Sequence, residues 1–128
     1  MPVARSVHEV FDYVLQGERG LPVEKQTVFT LRRLSTRHHA RAQSLTDSLP
    51  AMWEFVLRAG IAGWRNFADE TGQPVECKHE KGEVQVQGIT VKEPLAQDCL
   101  DLLPFEVTSE LLAAITQGNT LTADDVKN

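Results

Sequence analysis

The sequence predicts a mainly α (α+β) fold, a small helical domain with one short β-hairpin or β-arm. Its 128 residues suit a single domain, and 41% of them are hydrophobic, enough for an unassisted core. Several segments repeat apolar residues at helical spacing, whereas residues 83–91 alternate as a strand does. No repeat or linker divides the chain. We therefore expect one domain over residues 1–128, with a frayed tail at 120–128.

The first predicted helix covers about Val7 to Gln16. Ser6 and Glu9 have the spacing of a capping box, and the apolar residues that follow recur at helical spacing. A strand is predicted at 26–32, because this segment is rich in β-branched and aromatic residues.

Two helices are predicted in the middle of the chain. The polar segment 36–45 consists of good to neutral helix formers, and Ser35 or Thr36 would cap it. Ser48 and Pro50 then indicate a second start. The wide apolar stripe of this second helix comprises Met52, Trp53, Val56, Leu57 and Ile61.

The C-terminal third is predicted to hold a β-hairpin and two helices in series. The hairpin covers Glu83 to Val91, with a break at Gln87-Gly88. Pro94 and Pro104 each mark a helix start, and Gly118-Asn119 would end the second helix. Little apolar sequence follows to anchor another element.

Composition excludes several classes of protein. The net charge of -5 argues against generic nucleic-acid binding, which needs a surplus of positive charge. Apolar stretches are interrupted well before the roughly 18–20 residues of a membrane span. No secretory signal is readable, so we expect no membrane association, a cytoplasmic location and free thiols at Cys77 and Cys99.

Positive charge is concentrated in one segment of this acidic chain. Arg32, Arg33, Arg37 and Arg41 form a candidate basic contact patch, which could meet phosphate or an acidic protein face. A solvated helix face explains the same residues equally well. Aromatic residues that would stack on bases are missing from the segment, so a protein partner is favoured over nucleic acid.

The sequence offers no recognisable catalytic or metal site. It contains none of the local signatures of common hydrolases, nucleotide binders or metalloproteases. The adjacent acids Asp69-Glu70 are expected to be solvated. His38, His39, Cys77 and His79 could ligate zinc, but their spacing is not that of a zinc motif. We therefore predict a non-enzymatic protein without catalytic residues, cofactor or metal.

Five bulky apolar residues are the candidates for partner binding or self-association. Aromatic side chains serve as interface anchors as well as core residues, and Gly60 and Gly63 surround one of them with flexible backbone. The last predicted helix carries an apolar face that needs a partner. The candidates are Trp53, Trp64, Phe67, Leu111 and Ile115, with core packing as the alternative for each.

Part of the sequence resembles the tail assembly chaperones of long-tailed bacteriophages. The resemblance lies in three segments, 57–75, 100–107 and 110–115. In the first, a glycine-tryptophan turn leads to an acidic D-x-x-G loop. In the second, a leucine-proline step leads into an apolar helix. Residues 77–93 depart from the pattern as an insertion.

The resemblance implies a non-enzymatic role in the cytoplasm of an infected bacterium. Such a protein would coat the tape-measure protein, keep it soluble, help recruit tail-tube subunits and be missing from the mature virion. Spiral self-association is also implied. A head-tail connector or tail-completion protein, a nucleic-acid-binding regulator and an enzyme with an unrecognised site are the alternatives.

Overall fold

The computed structural model describes residues 10–45 and 48–118, and it describes side chains within these ranges up to residue 116. Within these residues, an α+β fold contains four α-helices and two antiparallel sheets. The expectation of a mainly α domain is therefore wrong. The strands are β1 (Val10–Val14), β2 (Val28–Arg32), β3 (Ile61–Arg65), β4 (Glu83–Val86) and β5 (Ile89–Lys92). The helices are α1 (Thr36–Gln43), α2 (Leu49–Gly60), α3 (Gln97–Asp101) and α4 (Phe105–Gly118).

Strand β1 lies where the sequence predicted a helix. It pairs antiparallel with β2, in a register that sets Phe11 opposite Leu31 and Tyr13 opposite Phe29. The segment Val10–Val14 fits a helical spacing, but its alternate residues Phe11 and Tyr13 also fit a strand. Pairing with the buried strand β2 decides between the two. The proposed capping box at Ser6 lies outside the described residues.

Strand β3 was not predicted, and it completes a three-stranded sheet in the order β1-β2-β3. Helix α2 runs directly into it, because the backbone becomes extended at Ile61. Strand β2 lies in the middle, and its residues Phe29 and Leu31 have no exposed surface. This central strand fills the core side of the sheet.

The predicted hairpin is present as β4 and β5. Gln87 and Gly88 both have positive φ angles, of 53° and 76°, as tight hairpin turns require. Val86, Ile89 and Val91 are buried in the same hydrophobic cluster as the first sheet and the helices. The hairpin thus packs against the core and does not project as an arm.

The helices begin near the predicted positions. Ser35 caps α1 by accepting a hydrogen bond from the His38 amide at 3.1 Å, and Ser48 caps α2 in the same way at 3.3 Å from the Ala51 amide. Helix α4 follows Pro104, as expected. The predicted cap at Asn119 and the tail at 120–128 lie outside the described residues.

Helix α2 organises the core by contacting α1, α3, α4 and both sheets. An ion pair between the buried Arg58 and the partly exposed Glu80 fastens the C-terminal half of α2 to the hairpin region, and Arg58 Nε also donates to the Leu95 carbonyl oxygen at 2.9 Å. Among the described residues, no helix is long and apolar enough to span a bilayer.

Candidate functional site: an apolar groove and a basic pocket

An open apolar groove of about 550 Å³ lies on the surface between α2 and α3. Six of its ten lining residues belong to α2 and its capping residue Ser48. The lining residues are Ser48, Pro50, Ala51, Trp53, Glu54, Leu57, Gln87, Gln97, Leu100 and Thr108. We call this surface the apolar groove.

The most exposed large aromatic residue of the described chain stands beside this groove. Phe105, the first residue of α4, is 67% exposed, and its ring stacks on that of Trp53 with centroids 5.4 Å apart. Trp53 itself is half-buried and lines the groove. The pair therefore joins the lining of the groove to an apolar ring that reaches into solvent.

Two further exposed apolar residues belong to the elements around the groove. Leu49 precedes the lining residue Pro50 on α2 and is 59% exposed, and Leu102 follows α3 and is 55% exposed. Exposed apolar side chains beside a groove are typical of protein-binding sites. Polar groups at the groove are already paired in part, since Gln87 Nε2 donates to Glu54 Oε2 at 2.5 Å.

A second concave surface of about 310 Å³ lies at the opposite end of α2. It brings together the end of β2, the start of α1, the end of α2 and the end of β5. We call it the basic pocket. Its lining residues are Arg32, Arg33, Leu34, Ser35, His38, Ala59, Val91, Lys92 and Glu93.

No protein-family model fits the sequence, and neither the curated proteins nor the solved structures give a match. The surfaces of the molecule are therefore the guide to its function.

The structure divides the predicted basic contact patch in two. Arg32 and Arg33 line the basic pocket, whereas Arg37 and Arg41 are exposed on α1 and do not line it. The Arg33 guanidinium packs over the Phe11 ring, 5.1 Å from its centroid. Lys92 joins the pocket from β5, a contribution that no spacing in the sequence indicated.

Trp64 and Phe67, the next two candidates for partner binding, are half-buried in an aromatic cluster. Their rings meet edge to face with centroids 5.3 Å apart, and both pack against the buried Phe29. Trp64 Nε1 also donates to the Val75 carbonyl oxygen at 2.8 Å. These contacts hold the loop after β3 against the sheet, so packing accounts for both side chains.

The remaining two candidates, Leu111 and Ile115, have no exposed surface. They lie on the face of α4 that packs against α2, so in this structure they are core residues and present nothing to a partner. The apolar face that needed a partner finds it within the chain. Of the five candidates, Trp53 is the one that lines the apolar groove.

The acidic D-x-x-G loop is shaped by its own hydrogen bonds. Asp69 Oδ1 accepts from the Thr71 amide, the Thr71 hydroxyl and the Gln73 amide, at 2.9, 2.7 and 3.0 Å. The bond from the Thr71 hydroxyl is the main reason that the pKa of Asp69 lies below its usual value. This fully exposed carboxylate organises a turn.

His38 and His79 serve as hydrogen-bonding groups. His38 Nε2 lies 3.1 Å from the Thr90 carbonyl oxygen, and His79 Nε2 lies 3.1 Å from that of Ile61. Both cysteines are free, and burial raises the pKa of the Cys77 thiol to about 12. Within residues 10–45 and 48–118, no three His, Cys, Asp or Glu side chains gather as a metal site.

Proposed function

We propose that this protein is a phage tail assembly chaperone, which holds the tape-measure protein through the apolar groove. The observation that carries the proposal is the stack of Phe105 on Trp53 beside that groove. The Phe105 ring is 67% exposed in the free chain, so a partner that covers it gains binding free energy from removing apolar surface from water.

We expect the partner segment that binds this groove to be an amphipathic helix. Such helices bind by laying an apolar face into a groove, with anchoring side chains at intervals of three or four residues. A long tape-measure chain would expose apolar helix faces of this kind before a tail forms around it. Many small subunits, each covering one stretch, would prevent those faces from associating with one another.

The wider role follows the resemblance of 57–75, 100–107 and 110–115 to tail assembly chaperones. We include in the proposal the recruitment of tail-tube subunits, self-association into a spiral, action in the cytoplasm of the host bacterium and release before the virion is complete. Head-to-tail contacts that do not close into a ring would give such a spiral. No catalytic step is part of this function.

The experiment is co-expression with the tape-measure protein of the same phage. We expect the tape-measure protein to be insoluble alone and to co-purify in soluble form with this chain. A tape-measure protein that stays insoluble and unbound would contradict the proposal. A second experiment looks for this chain in purified virions. Its presence there would favour a head-tail connector or tail-completion protein.

A further inference from the structure

We infer that the basic pocket binds a carboxylate of an acidic segment on a protein partner. This site is separate from the apolar groove. Ala59 lines the pocket and Leu57 lines the groove, and two residues along a helix correspond to a rotation of about 200°, so the sites open on different sides of α2. The inference does not depend on the identity of the groove's partner.

The pocket collects cationic side chains from two different sheets. Arg32 is the last residue of β2 and Lys92 the last of β5, and Arg33 follows Arg32 directly. These strands are far apart in the sequence, and their charges meet at one concavity that the start of α1 and the end of α2 also line. Guanidinium and ammonium groups are the natural partners of a carboxylate.

The start of α1 adds to the positive electrostatic potential of the pocket. Its capping residue Ser35 lines the pocket, and the N-terminal turn of a helix carries partial positive charge. This contribution is secondary to that of the side chains, because the Ser35 hydroxyl already accepts from the His38 amide.

A hydrogen bond across the pocket holds its two walls together. His38 on α1 lies with Nε2 3.1 Å from the carbonyl oxygen of Thr90 on β5. The imidazole also meets the ring of the buried Phe55 edge to face, at 5.6 Å between centroids. The wall that carries the arginines and the wall that carries Lys92 are therefore joined before any ligand arrives, which lowers the entropy cost of binding.

The lining favours an acidic peptide over a nucleic acid. Leu34, Ala59 and Val91 give the pocket apolar walls, and Glu93 offsets one of its cations toward carboxylate and phosphate alike. Among the described residues that line it, none is Phe, Tyr or Trp, so no platform for base stacking is present. Its volume is near the lower end of the range of about 300–1,000 Å³ for ligand sites.

The test measures binding of a fluorescently labelled hexaglutamate peptide by anisotropy. The altered protein carries Arg32→Gln and Lys92→Gln, and the matched control carries Arg37→Gln and Arg41→Gln. Both variants lose two positive charges, but only the first pair lines the pocket. We expect the first variant to lose about tenfold or more in affinity and the control about twofold at most.

Other outcomes would overturn the inference. Equal losses of affinity in the two variants would mean that the peptide is attracted by the overall positive charge of the basic segment and not by the pocket. If the unaltered protein does not bind the peptide at about 1 mM, the pocket is not a carboxylate-binding site. Tighter binding of a single-stranded oligonucleotide of equal charge would assign the pocket to nucleic acid. Thermal melting checks the fold, and Lys92→Gln alone, at an exposed position, replaces the double variant if that unfolds.

Discussion

Gly60 at the end of α2 lies directly against Ile115 of α4. A Cβ atom on Gly60 would be only 2.6 Å from Ile115 Cδ1 and 2.9 Å from its Cγ2. Since Ile115 has no exposed surface, its side chain has little room to move away. The missing side chain at Gly60 therefore sets how closely the two helices pack, and with it the position of α4 behind the apolar groove.

Adding a methyl group at this contact should destabilise the fold. We expect Gly60→Ala to lower the free energy of unfolding by about 1–3 kcal/mol, as overpacking of a core does. Adding Ile115→Val, which removes the Cδ1 atom, should recover part of that loss. Gly63→Ala is the control, because a Cβ atom there meets nothing within 4 Å. Urea denaturation measures all four proteins, and equal stability of Gly60→Ala and the unaltered chain would refute the close contact.

The tyrosine that joins β1 to α4 should titrate at unusually high pH. Burial, together with the hydrogen bond from Tyr13 Oη to Glu110 Oε2 at 2.7 Å, raises the pKa of Tyr13 to about 12. A pKa raised in the folded state stabilises the fold below the ordinary value of 10.0, and this stabilisation is lost as the pH rises towards 12. Glu110→Gln should bring the pKa closer to 10.

Ultraviolet absorbance measures this titration without ambiguity, because Tyr13 is the only tyrosine in the chain. A midpoint near 10 in the unaltered protein, with native circular dichroism retained, would mean that the contact between Tyr13 and Glu110 is not formed in solution.

Truncation of Trp64 should destabilise the fold. Trp64 packs in the aromatic cluster with Phe29 and Phe67, so we expect Trp64→Ala to lower the free energy of unfolding by about 2–3 kcal/mol. Trp64→Phe keeps most of the packing but loses the bond to Val75, at a cost of about 0.5–1.5 kcal/mol. Chemical denaturation gives both values. A Trp64→Ala protein of unchanged stability that no longer binds a partner would show instead that Trp64 is a contact residue.

The ion pair of Arg58 with Glu80 should matter more than an exposed charge nearby. Arg58 is 8% exposed, so Glu80→Ala would leave its guanidinium buried without a counter-ion. We expect a loss of about 1–3 kcal/mol, because the bond to the Leu95 carbonyl remains. Glu83→Ala, at an exposed position on β4, should change stability by less than about 0.5 kcal/mol. Thermal melting in low salt compares the two, and equal effects would contradict the account.

Local signals predicted much of the secondary structure. The serines at 35 and 48 marked both central helix starts, and Gln87-Gly88 marked the hairpin turn, because caps and tight turns depend on a few neighbouring residues. Strand β1 was missed, since Val10–Val14 fits two periodicities and only its distant partner β2 selects one. Strand β3 was missed because Ile61 extends the apolar stripe of α2.

The candidate surfaces were harder to predict than the elements. Leu111 and Ile115 fall on an apolar face of α4, but periodicity does not say whether α2 or another protein covers that face. Phe105, on the same helix, is the residue left in solvent. The basic pocket needs Lys92 from the second sheet, and only the packing of the two sheets around α2 brings it to Arg32. Such relationships belong to tertiary structure.

The most direct test of the central claim is calorimetric binding of a soluble tape-measure fragment to two surface variants. Phe105→Ser removes the exposed ring beside the apolar groove, whereas Val23→Ser removes an even more exposed apolar side chain, 77% accessible, from a turn that does not line the groove. We expect Phe105→Ser to weaken binding about tenfold or more and Val23→Ser to leave it unchanged. Equal affinity of the two variants would contradict the assignment of the groove as the site that holds the partner.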